Sequence, residues 1–303
     1  MIPTPLRTLR TLFIGAAVGV AIAIGIAYPV LKDRWADLKD RWADVDATPT
    51  TKSSALACAN AQPQSPKDVS SSYTAGTATP TTPGSVQTTI GSLGKANVHF
   101  HLHAEHKSAG EYDALTTEAG KYGYDCGTLE GSLTTAQKAA YAWEYCKETE
   151  VGETYEIHWV YSSGAGSTIS DGLGGAFTYQ NNPFVVVRAQ VFVITNDSAD
   201  DLPSGADLFD GWRSDSITDA VAYLGSTTGT SYNNTDTCSP YSVTWQVDRK
   251  CQRISAKSFD AMCKTMKSTH GMDDDLHPHS SRMLVADNLA SKTQTAMTSP
   301  FSA

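Results

Sequence analysis

Residues 184–196 read FVVVRAQVFVITN, a stretch of mostly β-branched and aromatic side chains with no glycine or proline. β-Branched residues lose rotamer freedom in a helix and pack well on a pleated surface, so this run predicts a central strand. Two flanking segments, NVHFHLH (97–103) and TYEIHWVYS (154–162), alternate polar with apolar residues, the period of a half-buried strand. SVTWQV (242–247) reads as a further strand. Helical patterns are few: TTAQKAAYAWEYCK (134–147), the segment after Gly211, and SAKSFDAMCKTMK (255–267), where Ser255 is placed to cap. The pattern predicts a mixed, mainly β chain (α+β), with a large sheet and a few peripheral helices.

The chain has 303 residues, enough for one large domain or two small ones. With 40% apolar residues it can build a packed core. A formal net charge of -9 with no basic stripe argues against a nucleic-acid partner. Residues 11–31 carry no charge and are long enough to cross a bilayer as a helix. Arg7 and Arg10 precede the run, which predicts a cytosolic N-terminus with the remainder outside or in a lumen. An uncleaved anchor fits the length better than a secretory signal. The tandem KDRWADL (32–38) and KDRWADV (39–45) predicts an amphipathic stalk or spacer helix, followed by a Ser/Thr/Pro-rich linker. Six cysteines, without a CxxC pair, suggest disulfides on an exported chain. The glycosylation triplets at Asn196 and Asn233 add little, since such triplets are common by chance.

The eight histidines are not scattered. Four lie at 99, 101, 103 and 106, one at 158, and His270, His277 and His279 near the C-terminus. Residues two apart on a strand share a face, so His99, His101 and His103 are expected to point one way, and Glu156 and His158 likewise on theirs. Two imidazoles from one strand and one from a neighbour complete a three-histidine metal site with one position left for water. Such a site lowers the pKa of water to about 7. The competing reading is a histidine-rich strand with internally satisfied side chains.

HFHLHAEHKSAGEYD (99–113) and, further on, YEIHWVYSS resemble the δ-class carbonic anhydrases of marine algae. The layout is also similar to the α class, in which an HFH pair, an EH pair and an ELHxV strand follow in that order. CANAQPQSPKDV (58–69), GSTTG (225–229), CSPYSVTWQVDRKCQRIS (238–255) and LHPHSSRMLV (276–285) are similar to α-class segments, also in order. The resemblance implies a large central, mostly antiparallel twisted sheet like the α-carbonic anhydrase fold, and a catalytic domain over 58–290 between the anchor (1–31), stalk and linker (32–57) and a tail (291–303). It implies reversible hydration of CO2 to bicarbonate and a proton through zinc-bound hydroxide, with cobalt or cadmium able to replace zinc.

Carried over residue by residue, the resemblance makes His99, His101 and His158 the metal ligands, with Asn97 and Glu156 behind them. It makes Glu105 and Thr227 the gatekeeper pair (Thr228 being the alternative to Thr227) and Val160 a wall of the CO2 pocket. His103 stands where the δ pattern usually has Gly, and it remains open as ligand, relay or surface residue. No histidine lies between Pro66 and His99, so the α-class proton shuttle has no counterpart there and His103 and His106 become candidate relays. The resemblance pairs Cys58 with Cys238. For the other four, proximity along the chain suggests Cys126 with Cys146 and Cys251 with Cys263. The implied partners are CO2 and bicarbonate, and the membrane through the N-terminal span. The domain would face an extracellular, periplasmic or lumenal space, or be secreted if the N-terminal segment is cleaved. Two rival readings are a cupin-type metalloenzyme, for which His99-x-His101-x3-Glu105 would be the first motif, and a non-catalytic carbonic anhydrase-like ectodomain.

Overall fold

Four long strands carry the architecture: β1 (Gly94–Leu102), β4 (Thr154–Ser162), β5 (Val185–Thr195) and β7 (Val243–Ser255). The computed structural model describes residues 67–72, 88–116, 123–172, 175–176, 178–179, 183–225, 243–281 and 294–297, all within the unit Lys52–Ala303. The anchor, stalk and linker expectations, Thr227, Thr228, Cys58, Cys238 and Asn233 lie outside these residues.

With β6 (Ala220–Gly225), β8 (His279–Ser280) and β9 (Gln294–Ala296), the long strands form a seven-stranded sheet in the order β8-β1-β4-β5-β7-β6-β9. The pairs β1/β8 and β5/β7 are parallel and the other four antiparallel, so the sheet is mixed and mainly antiparallel. Every residue of β4 and β5 is buried; the half-buried strand expected over 154–162 is instead covered on both faces, because it lies inside the sheet between β1 and β5. A separate hairpin joins β2 (Ala114–Thr116) to β3 (Gly123–Asp125).

The sheet separates two apolar cores. Val98, Phe100, Ile157, Trp159, Phe192 and Ile194 face one way, against Phe259, Met262 and Met266 of the long helix Ala256–His270. Val160, Val187, Ala189, Val191 and Trp245 face the other way. The long helix, α2, starts where expected: the Ser255 hydroxyl accepts from the Ser258 amide, and Gly271 ends it with φ 68°. α1 is the single turn Gly127–Gly131.

Two expected helices do not form. Residues 134–147 are turns and irregular chain. The carboxylate of Asp260 on α2 accepts from three successive amides, Glu144 (3.1 Å), Tyr145 (2.9 Å) and Cys146 (2.8 Å), and so removes them from any helical ladder. The Asn196 side chain, bonded to the Ala139 and Ala140 carbonyls at 3.2 Å each, does the same for two acceptors. The segment after Gly211 is likewise turns leading into β6.

The disulfides correct the pairing by proximity. Cys126 joins Cys251, and Cys146 joins Cys263. Cys146 and Cys263 belong to the core under α2, whereas Cys126 and Cys251 belong to the core across the sheet. Cys251 and Cys263 are twelve positions apart in sequence, but they belong to cores on opposite sides of the sheet.

Candidate metal centre

The pairing of β1 with β4 sets Asn97 opposite Val160, His99 opposite His158 and His101 opposite Glu156. Directly opposed residues share a face, so all six side chains stand together on the side away from α2. None of the six is more than 7% exposed. His99, His101 and His158 each offer one ligand atom, and the three atoms lie within 4.8 Å of one another.

Their outward nitrogens are held. Asn97 Nδ2 donates to the Ser170 carbonyl (2.9 Å) and to Asp275 Oδ2 (2.7 Å), so the amide oxygen faces His99 Nδ1, at 2.5 Å. His99 Nδ1 must therefore carry the proton and donate. His101 Nδ1 faces the Ser280 carbonyl at 3.4 Å, a partner that can only accept. His158 Nε2 lies 3.5 Å from Glu156 Oε1, too loosely for a hydrogen bond. With the proton on Nε2, His158 Nδ1 keeps a free lone pair; with the proton on Nδ1, it donates to His99 Nε2.

His158 Nδ1 and His99 Nε2 are 3.3 Å apart. In the first tautomer two lone pairs face each other, an arrangement that a cation between them would stabilise. Tetrahedral nitrogens at about 2.0–2.1 Å from a zinc ion would themselves stand about 3.3–3.4 Å apart. The three imidazoles could hold a metal ion, and the His99–His158 separation and the ligand type suit zinc. Burial, then the neighbouring imidazoles of His158 and His279, hold the His99 and His101 pKa values well below 6.5, with His101 adding to the effect at His99. Both imidazoles are thus neutral and able to ligate at neutral pH.

Glu156 anchors the far side. Its carboxylate accepts from the Glu105 amide (2.6 Å) and pairs with His106 Nδ1 (2.6 Å). Burial favours its neutral form, but the neighbouring His106 and His158 and the hydrogen bond with His106 outweigh burial and hold the carboxyl well below the usual range. His106 is fully buried, with Nε2 2.7 Å from the Tyr223 hydroxyl. His106, Glu156 and His158 form a second convergent group. Both nitrogens of His106 are engaged, so in this arrangement it positions Glu156.

The other expected residues fall as follows. Val160 is buried beside His158, in the apolar core on the site face. Glu105 is 4% exposed, with Oε1 3.6 Å from His101 Nδ1, and does not join the convergent group. The alternation that placed His103 beside His99 and His101 breaks, because β1 ends at Leu102 and His103 has φ 63°. Its Nδ1 is bonded instead to Asp125 Oδ1 at 2.6 Å. Thr227 lies outside the described residues.

Four residues at the site were not anticipated. The His279 ring stacks on His99 with centroids 5.0 Å apart, and its Nε2 pairs with Asp275 Oδ1 at 2.8 Å. Trp245 stands edge-on to His158, also at 5.0 Å. Tyr223 holds His106. The HPH spacing at 277–279 was a signal for His279, but nothing local ties it to a strand more than 170 residues earlier.

A family model described as delta carbonic anhydrase matches residues 91–258, more than half of the chain, and the chain belongs to that family. Hydration of CO2 is the general reaction of carbonic anhydrases, which are metalloenzymes. Among solved structures, an α-carbonic anhydrase from Thermovibrio ammonificans, in complex with the inhibitor sulfanilamide, is similar at 15% identity. The match covers 78% of this chain and 87% of that one, with a TM-score of 0.25. No curated protein matches the chain.

Proposed function

We propose that this protein is a zinc-dependent carbonic anhydrase, interconverting CO2 with bicarbonate and a proton at a site held by His99, His101 and His158. The observation that carries this reading is the convergence of the His99, His101 and His158 ligand atoms within 4.8 Å of one another, with His99 Nε2 and His158 Nδ1 3.3 Å apart. Zinc in such a site acidifies water and so supplies a nucleophile for CO2 at neutral pH. Asn97, the Ser280 carbonyl and Glu156 orient the three imidazoles. Val160 and Trp245 present apolar surface beside His158, where CO2 can be held without competing hydrogen bonds. Glu105 and Thr227 are assigned to orient the nucleophile, as the resemblance to the family implies. The two disulfides fit an oxidising, extracellular or lumenal setting, with residues 11–31 as the anchor. None of the described helices is long and apolar enough to cross a membrane, and that run lies outside them.

The test pairs metal content with CO2 hydration by stopped flow. Wild-type protein should hold one zinc per chain and hydrate CO2, and His158→Ala should lose both. Equal hydration rates in the two proteins would overturn the assignment.

A further inference from the structure

Asp275 lies 178 residues from Asn97 in sequence, yet its buried carboxylate is part of the site. Oδ2 accepts from Asn97 Nδ2 (2.7 Å) and from the Gly172 amide (3.0 Å), and Oδ1 pairs with His279 Nε2 (2.8 Å). The segment is itself tied down, since the Asp275 amide donates to Asp171 Oδ1 at 3.1 Å.

A primary amide has one face that accepts and one that donates. Which face Asn97 shows to His99 decides which imidazole nitrogen carries the proton. If the oxygen faces Nδ1, the proton sits on Nδ1 and Nε2 is free for a metal. If the amide turned over, its NH2 would demand an acceptor at Nδ1, and the proton would move to Nε2, the nitrogen facing His158. An ionised carboxylate can only accept. Asp275 therefore holds the NH2 of Asn97 away from His99, together with the Ser170 carbonyl. Five residues later in the same stretch, the Ser280 carbonyl accepts from His101 Nδ1. The chain segment 275–280 thus faces the outward nitrogens of both β1 imidazoles, one through Asn97 and one directly.

We propose that Asp275 is a positioning residue for the metal, acting through Asn97 to keep His99 in the tautomer that leaves Nε2 free. The inference rests on the metal reading given above. Its test is zinc affinity, measured on the full-length protein by chelator competition, with the imidazole nitrogen NMR shifts of His99 in the metal-free protein as a second readout.

Asp275→Ala should weaken zinc binding about tenfold or more, within the range usual for residues supporting a ligand histidine. The His99 signals should shift toward a mixture of tautomers. Asp275→Asn keeps an oxygen for Asn97 and Gly172 and should stay within about threefold of wild type. In an Asn97→Ala background the Asp275→Ala change should cost little more, because its target is gone. Should Asp275→Ala not fold, Asp275→Ser is measured in its place, since serine is too short to reach Asn97. Unchanged affinity in the variant, or the same loss with and without Asn97, would overturn the proposal. Wild-type protein that bound no zinc would overturn the metal reading itself, an outcome distinct from a wild type that binds zinc while Asp275→Ala binds it equally well.

Discussion

Glu156 and Asp248 are both fully buried, and their carboxyl groups move in opposite directions. Glu156 has His106 and His158 beside it and is held ionised. Among the described residues, the donors to the Asp248 carboxylate on β7 are uncharged: the Gln190 and Gln252 side-chain amides and the Lys250 backbone amide. Burial dominates there, and its pKa is pushed up to about 6. An unfolded aspartate titrates near 3.9, so between about pH 4 and pH 6 the folded chain binds a proton that the unfolded chain has released. The Asp248 contribution to stability is then present at low pH and declines as pH rises through that window. Asp248→Asn removes the titration, so wild type should hold a larger advantage over the variant at pH 4 than at pH 7. The difference should be on the order of 2–3 kcal/mol by urea denaturation. A pH-independent difference would mean that the folded carboxyl titrates normally. At this scale the sequence was partly legible. HFH and EIH announced themselves by spacing, because strand alternation is a local rule. Asp275 and His279 did not, because only the β1/β8 pairing brings them to His99.

The elements show where local rules held and where a distant side chain overrode them. Ser255 was readable as a helix start because capping is local, and its hydroxyl does accept from the Ser258 amide at 3.1 Å. Ser255→Ala should lower stability by about 1 kcal/mol, measured by denaturant unfolding. A change within error would show that the buried contacts of α2 set its start without the cap. Segment 134–147 had helical composition, yet Asp260 captured three of its amides from across the core, a contact with no local signature. β1 shows the same limit. Its alternation was plain, but not the left-handed residue that ends it and turns His103 toward Asp125.

For the whole molecule, the large mixed sheet was legible because β4 and β5 carry strong period-two and β-branched patterns. The two disulfide pairings were not, because cysteines near each other in sequence take opposite sides of the sheet. The pairs close separations of 125 and 117 residues. In the chain-entropy model, each bridge stabilises a fold of this span by about 4–5 kcal/mol. Replacing Cys126 and Cys251 by serine should therefore lower unfolding free energy by a few kcal/mol, and so should replacing Cys146 and Cys263. Guanidinium unfolding of each double variant checks this, and a double variant as stable as wild type would show that its bridge is dispensable. One bridge ties α2 to the irregular stretch ending at Cys146, and the other ties β7 to the chain after β3.

The alignment of His99 with His158 across β1 and β4 has a consequence for how the molecule is assembled. A slip of one position would carry all the β1 imidazoles to the wrong side of the ribbon and bring Val98 and Phe100 in their place. Strands paired out of register would then bring no imidazoles together. Under the metal reading proposed above, a divalent ion would bind only the correctly paired strands and so favour that register.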